Sequence, residues 1–142
     1  MGTNNDGIFW LTLTLLATSM MWIPYILHSF RVRGIMATMG YAELSTPLSD
    51  WAVRAKKAHY NAVENLVLFG PLVLAYYWFA GGNTGAEAHQ GVAMAAMVYF
   101  LARMLHFLVY IAAVPLARTA MFLVGFGAQV YVGVVLLRLV TA

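Results

Sequence analysis

Asp50, Arg54, Lys57, Asn61 and Glu64 recur at helical spacing within one uninterrupted run. At about 100° per residue they fall in an arc of roughly 80°. One helix face therefore carries two cations, an amide and two carboxylates, Asp50 and Glu64. Farther along, Tyr99, Arg103, His106 and Tyr110 share a second face in the same way. Arg31 follows the first apolar segment, and Arg118 with Thr119 opens the last. Such a set suits a small anion that also bears an amine: the cations hold carboxylates, while Glu64 and Asn61 hold an ammonium group. An arginine placed beside a thiol favours the thiolate by charge attraction. Asn61, Glu64 and Arg103 lie among apolar residues, where polar groups are costly without specific partners. Arg33 and Lys56 are off that face and are expected to snorkel to headgroups. Two other readings use the same residues. Glu64 and Arg103 could form a structural tie, and His28 with His106 could offer two axial ligands to a haem.

The elements that must position these residues follow from composition. The chain has 142 residues, is 63% hydrophobic and only 9% charged. Soluble domains carry about 25% charged residues, so the deficit decides for an all-α integral membrane protein. One domain, residues 1–142, is expected. With no cysteine there is no disulfide frame, cysteine zinc site or cysteine nucleophile, and no metal site is expected. A net charge of +3, dispersed along the chain, gives no basis for nucleic-acid binding. Met1–Gly7 holds Asp6 and no Lys or Arg, unlike a signal-peptide n-region, so the first apolar segment should stay as an anchor.

Four spans are expected: Ile8–Phe30, about Asp50–Ala80, about Ala86–Ala112 and about Leu116–Thr141. Pro24 should kink the first a turn from its end, and Gly70-Pro71 should bend the second. Gly34–Ser49 reads as a linker without clean period, and Gly81–Gly85 as a turn. Gly125, Gly127 and Gly133 suit close helix contact, and Trp10, Trp22 and Trp51 suit interface anchors. Arg31, Arg33, Arg54, Lys56 and Lys57 crowd the first connection, whereas the N-terminus and second connection offer Asp6 and Glu87. The positive-inside rule then makes the basic connections cytoplasmic and both termini non-cytoplasmic, with Arg138 a minor dissent. In that topology Arg31, the Arg54–Glu64 face, His106, Tyr110 and Arg118 reach one membrane level.

Lys57-Ala58-His59-Tyr60-Asn61-Ala62-Val63-Glu64-Asn65 resembles the R-A-H-x-N-x-x-E-N signature of the MAPEG family, the membrane-associated proteins of eicosanoid and glutathione metabolism. The resemblance extends over nearly the whole chain. It implies a four-helix membrane bundle, a homotrimer with sites between protomers, and glutathione as co-substrate. By the same resemblance Arg31 is the basic residue that meets glutathione from the first helix. Lys57 stands where Arg is usual, keeping the charge and losing bidentate geometry. Asn61 and Glu64 match glutathione-binding residues, and Arg103, His106 and Tyr110 match an R-x-x-H-x-x-x-Y series. Arg118 matches the thiolate-stabilising arginine, and Thr119 stands where one synthase has a candidate catalytic serine. Tyr60 replaces a second motif arginine, and Phe122 occupies a position often held by Tyr.

The expected function is that of a membrane-bound glutathione transferase or peroxidase-like enzyme. It would act on lipophilic electrophiles arriving through the bilayer, with Arg54 joining Arg31, Lys57 and Arg103 on the glutathione carboxylates. The alternative is a non-catalytic membrane module of the same fold that binds a lipid or a partner protein.

Overall fold

The computed structural model describes residues 6–40, 46–81 and 85–141. Its helices are α1 (Asp6–Met20), α2 (Ile23–Arg33), α3 (Ile35–Met39), α4 (Asp50–Ala80), α5 (Ala86–Ile111) and α6 (Pro115–Thr141). Taking α1 and α2 together, four segments are long and apolar enough to cross a membrane: Asp6–Arg33, Asp50–Ala80, Ala86–Ile111 and Pro115–Thr141. The first expected span is thus two helices. Pro24 has no N–H for the carbonyl of Met20, and its ring crowds that carbonyl. The break accordingly falls before the proline, at Met21-Trp22, where the Met21 amide reaches back only to Thr18 O at 3.2 Å. Pro24 then sits in the first turn of α2, where a missing donor is harmless. α2 also outlasts the expected end at Phe30 and stops at Gly34, whose φ of +81° suits glycine.

The expected linker contains α3, which the irregular pattern did not announce. A hydroxyl–hydroxyl hydrogen bond of 3.0 Å between Ser29 and Thr38 ties α3 back to α2. Of the expected turn at Gly81–Gly85, positions 82–84 lie outside the described residues.

α4 starts beyond Ser49, which has extended backbone and makes no side-chain cap, and carries Asp50 in its first turn. It remains helical through Gly70 and Pro71. Ala52, Ala55, Ala58 and Ala62 form its buried stripe, letting neighbouring backbones approach. α5 is the hub, packing against α1, α4 and α6. At its centre the Tyr99 ring stacks on Phe69 of α4 with centroids 3.7 Å apart. Leu11, Val73, Val92 and Val132 complete the surrounding core. Trp10 packs on Phe100 at 5.6 Å and belongs with this core, unlike the exposed Trp22 and Trp51. Close contact is found at Gly125, while a Cβ on Gly127 would meet open space. Leu74, Trp78, Leu101, Leu105, Leu116 and Leu123 are exposed, an apolar exterior suited to lipid. Tyr77 near the end of α4 accepts a 3.1 Å bond from the Gly7 amide, so the start of α1 and the end of α4 share one end of the bundle. The start of α4, the end of α5 and the start of α6 lie at the other.

Candidate functional site

Arg103 is the most enclosed cation, 1% exposed at the heart of α5. Two amides of α4 receive it. Its Nη1 donates to Asn61 Oδ1 at 3.4 Å, and its Nη2 to Asn65 Oδ1 at 3.1 Å. Asn65 Nδ2 in turn donates to the Asn61 carbonyl at 2.8 Å, which fixes its side chain. The guanidinium carbon lies 4.9 Å from the Tyr99 ring centroid and 5.3 Å from that of Phe122. On the α6 side a Cβ at Gly125 would stand 3.0 Å from Nη2, so glycine leaves the head group its room. Among the described residues no carboxylate joins this cluster. Glu64, one α4 turn from Asn61, is exposed, and the two asparagines stand where the alternative reading put a Glu64 tie to Arg103.

His106, 3% exposed, leads from this cluster toward the end of α5. Its ring lies 5.6 Å from Tyr110 and 6.3 Å from Phe122. His28 belongs elsewhere, beside Trp51 at 4.8 Å, and accepts a 3.4 Å bond from the Ser49 amide. The two histidine environments share no residue.

Beyond His106, a small cavity of about 120 Å³ is lined by Arg54, Tyr110, Ala113, Val114, Pro115 and Arg118. α5 ends here in a tight turn: Ala112, Ala113 and Val114 return their amides to Leu108, Tyr110 and Val109, and Ala113 takes a φ of +58°. Arg54 Nε donates to Ile111 O at 2.8 Å, satisfying a carbonyl that a helix end leaves without a partner. That bond fixes the turn carrying α6 and leaves the Nη groups of Arg54 for other work. Pro115 starts α6, and the Arg118 amide bonds Val114 O at 3.0 Å. Arg118 therefore offers its side chain, not its amide. The guanidinium carbon sits 4.8 Å from the Tyr110 ring centroid, half-buried.

The remaining sequence candidates lie outside this cavity. Lys57 is exposed on α4. Arg31 lines a separate groove of about 440 Å³ with Pro24, Leu27, His28 and Trp51. Thr119 is exposed and donates its hydroxyl to Pro115 O at 3.1 Å. One chain thus brings together Asn61 with Arg103, and Arg54 with Tyr110 and Arg118, joined by His106. It leaves Arg31, Lys57, Glu64 and Thr119 on its surface. Asn65 was missed as a site residue, although its position one turn after Asn61 on the same face was the available signal.

The model of the MAPEG family matches residues 9–138 of the 142. The chain belongs to the MAPEG family. Searches of curated proteins and of solved structures returned no match. The family match reaches all four spans and includes every candidate residue from Arg31 to Thr119.

Proposed function

We propose that the chain is a membrane-bound glutathione transferase or peroxidase-like enzyme acting on lipophilic electrophiles. The observation that carries this is the half-buried Arg118 guanidinium beside an open cavity, over Tyr110 and across from Arg54. The family includes glutathione transferases and related enzymes, and its members commonly use glutathione. In conjugation, the thiolate sulfur attacks an electrophilic carbon and forms a C–S bond. The leaving group departs with its electron pair, and the thiol proton has already gone to solvent. Arg118 favours the thiolate through charge-assisted hydrogen bonding. Thr119 is proposed to flank it: its donor is engaged, but its oxygen can still accept.

The cavity's 120 Å³ is far below the roughly 300–1,000 Å³ of a site for a drug-sized ligand, so it can take the thiol end of glutathione only. The tripeptide's carboxylates and amine need the Arg31 groove and the exposed Lys57–Glu64 face. A homotrimer with glutathione between protomers would bring these together. Glu64 supports this reading, because a carboxylate exposed on an apolar span is costly until something positive covers it. Arg103, Asn61, His106 and Tyr110 would shape the inner wall.

Aryl-halide conjugation by the purified protein tests the activity. Conjugation should depend on glutathione, and its absence would favour the non-catalytic module. One observation does favour that second reading: Phe122 covers Arg103 and brings no hydroxyl toward a thiol. Glu64→Gln should weaken glutathione binding at least ~10-fold, as expected for a hydrogen bond to a charged group, with the oligomer intact. Unchanged binding with a dissolved oligomer would make Glu64 a structural tie. We also place the Lys56 end in the cytoplasm and both termini outside, following the basic residues. Lys56→Cys, in a chain with no other cysteine, should resist an impermeant thiol reagent in intact cells. Labelling from outside would reverse the orientation.

A further inference from the structure

At the end of the bundle away from Arg118, a cleft of about 420 Å³ opens between α4, α5 and α6. Tyr76, Glu87, Tyr131, Val135, Arg138 and Leu139 line it. Glu87 stands in the first turn of α5 and Arg138 in the last turn of α6, so both are at the level where a bilayer places its headgroups. Among the described residues neither has an ion-pair partner, although they bound the same cleft. Tyr76 is fully buried, and its hydroxyl has no hydrogen-bond partner. Leaving a buried hydroxyl unpaired costs free energy that a ligand oxygen could recover. The Tyr131 hydroxyl lies against Gly91, where even a methyl group would collide with it. Glycine at 91 therefore permits that tyrosine position. Val135 and Leu139, one turn apart on α6, give the cleft an apolar wall beside Arg138.

The geometry points to a binding site for the headgroup of a membrane phospholipid that carries both a phosphate and a primary ammonium. Arg138 and the tyrosine hydroxyls take the phosphate, and Glu87 takes the ammonium. Val135 and Leu139 meet the first methylenes of the lipid. One charge of each sign matches a net-neutral head, whereas a purely anionic head would meet Glu87 as a like charge. A trimethylated ammonium has no N–H for that carboxylate, which sets the order among neutral lipids. The cleft lies within the roughly 300–1,000 Å³ range of small-ligand sites. None of its residues belongs to the proposed thiol site, so the inference stands apart from that reading.

The test uses the full chain, purified in detergent and mixed with equimolar phosphatidylethanolamine, phosphatidylcholine and phosphatidylglycerol. Lipid retained per chain is counted by native mass spectrometry. The wild type should retain phosphatidylethanolamine above both others. Arg138→Gln should lower that retention at least ~10-fold, the scale of a lost hydrogen bond to a charged group, and Glu87→Gln should erase the preference over phosphatidylcholine. Gly91→Ala, which leaves both charges in place, should also reduce retention by displacing Tyr131. Equal retention of all three lipids by the wild type would overturn the site. So would a Glu87→Gln, Arg138→Gln double variant that behaves like the wild type. Free phosphoethanolamine that displaces the lipid at equal concentration would overturn the lipid assignment in favour of a soluble zwitterion.

Discussion

Arg118→Ala should lower the rate of glutathione conjugation at least ~10-fold, a loss of about 1.4 kcal/mol or more of transition-state stabilisation. The nucleophile is the thiolate, and a free cysteine-type thiol has a pKa of about 8.5, so little of it is ionised at neutral pH. A guanidinium within hydrogen-bond reach of the sulfur raises the ionised fraction. Three features support the proposed role of Arg118. α6 begins with Pro115, which directs the helix's positive end toward the cavity. Tyr110 supports the guanidinium face at 4.8 Å. Arg54 secures the preceding turn through Ile111 O. Phe122 has no hydroxyl to share the task, so more of it rests on Arg118. The variant should keep its fold, because the half-buried guanidinium reaches into open space. The check is steady-state conjugation of an aryl halide beside a thermal unfolding curve. A rate equal to wild type with the same unfolding midpoint would remove Arg118 from the chemistry.

Much of this architecture was legible before any coordinates. Low charge and long apolar runs define the spans, and the 3.6-residue period places Arg54, Lys57, Asn61 and Glu64 on one face of α4. What the period does not carry is which face meets which neighbour. Arg103 invited a carboxylate partner, and Glu64 was available at the right depth. In the fold, the α4 face toward α5 is occupied by Asn61 and Asn65, and Glu64 turns outward. A rotation of one residue step decides between those outcomes. The break before Pro24 shows a similar limit. Proline announces a defect, but the defect falls on carbonyls upstream, so its position in the span was misjudged by about a turn. Arg54 shows a third. Its bond to Ile111 O joins residues 57 positions apart, and no local pattern signals that a helix end will need a donor from another helix. The separation of the Arg31 groove from the Arg118 cavity was equally hidden, since topology gives a membrane level and not a position around the bundle.

Asn65→Leu is expected to be the most destabilising single change in the polar layer. Leucine keeps the branching of asparagine, is bulkier, and takes the acceptor from Arg103 Nη2 and the donor from the Asn61 carbonyl. Arg103 is 1% exposed and has no carboxylate in its cluster among the described residues, so the guanidinium would lose its shorter hydrogen bond without access to water. Hydrogen bonds to charged groups are worth about 1.5–3 kcal/mol, and an uncompensated buried charge costs more. Stability should therefore fall by at least about 1.5 kcal/mol. Asn65→Asp provides the contrast. A carboxylate facing Arg103 keeps an acceptor there, so this variant should lie nearer to wild type. Unfolding in a denaturing detergent, followed by helical circular dichroism, measures both. An Asn65→Leu protein as stable as wild type would mean that the ring faces of Tyr99 and Phe122 suffice to hold Arg103.

If glutathione binds as a thiolate beside Arg118, as proposed, the bound thiol should reveal it in ultraviolet difference absorbance. Glutathione is titrated into purified wild-type protein at a series of pH values around neutrality, and the thiolate band is read against free glutathione. A thiolate signal is expected at pH values where free glutathione is mostly protonated, and its loss is expected in Arg118→Ala. Saturable glutathione binding with no thiolate band above that of the free thiol, and no difference between wild type and Arg118→Ala, would contradict it.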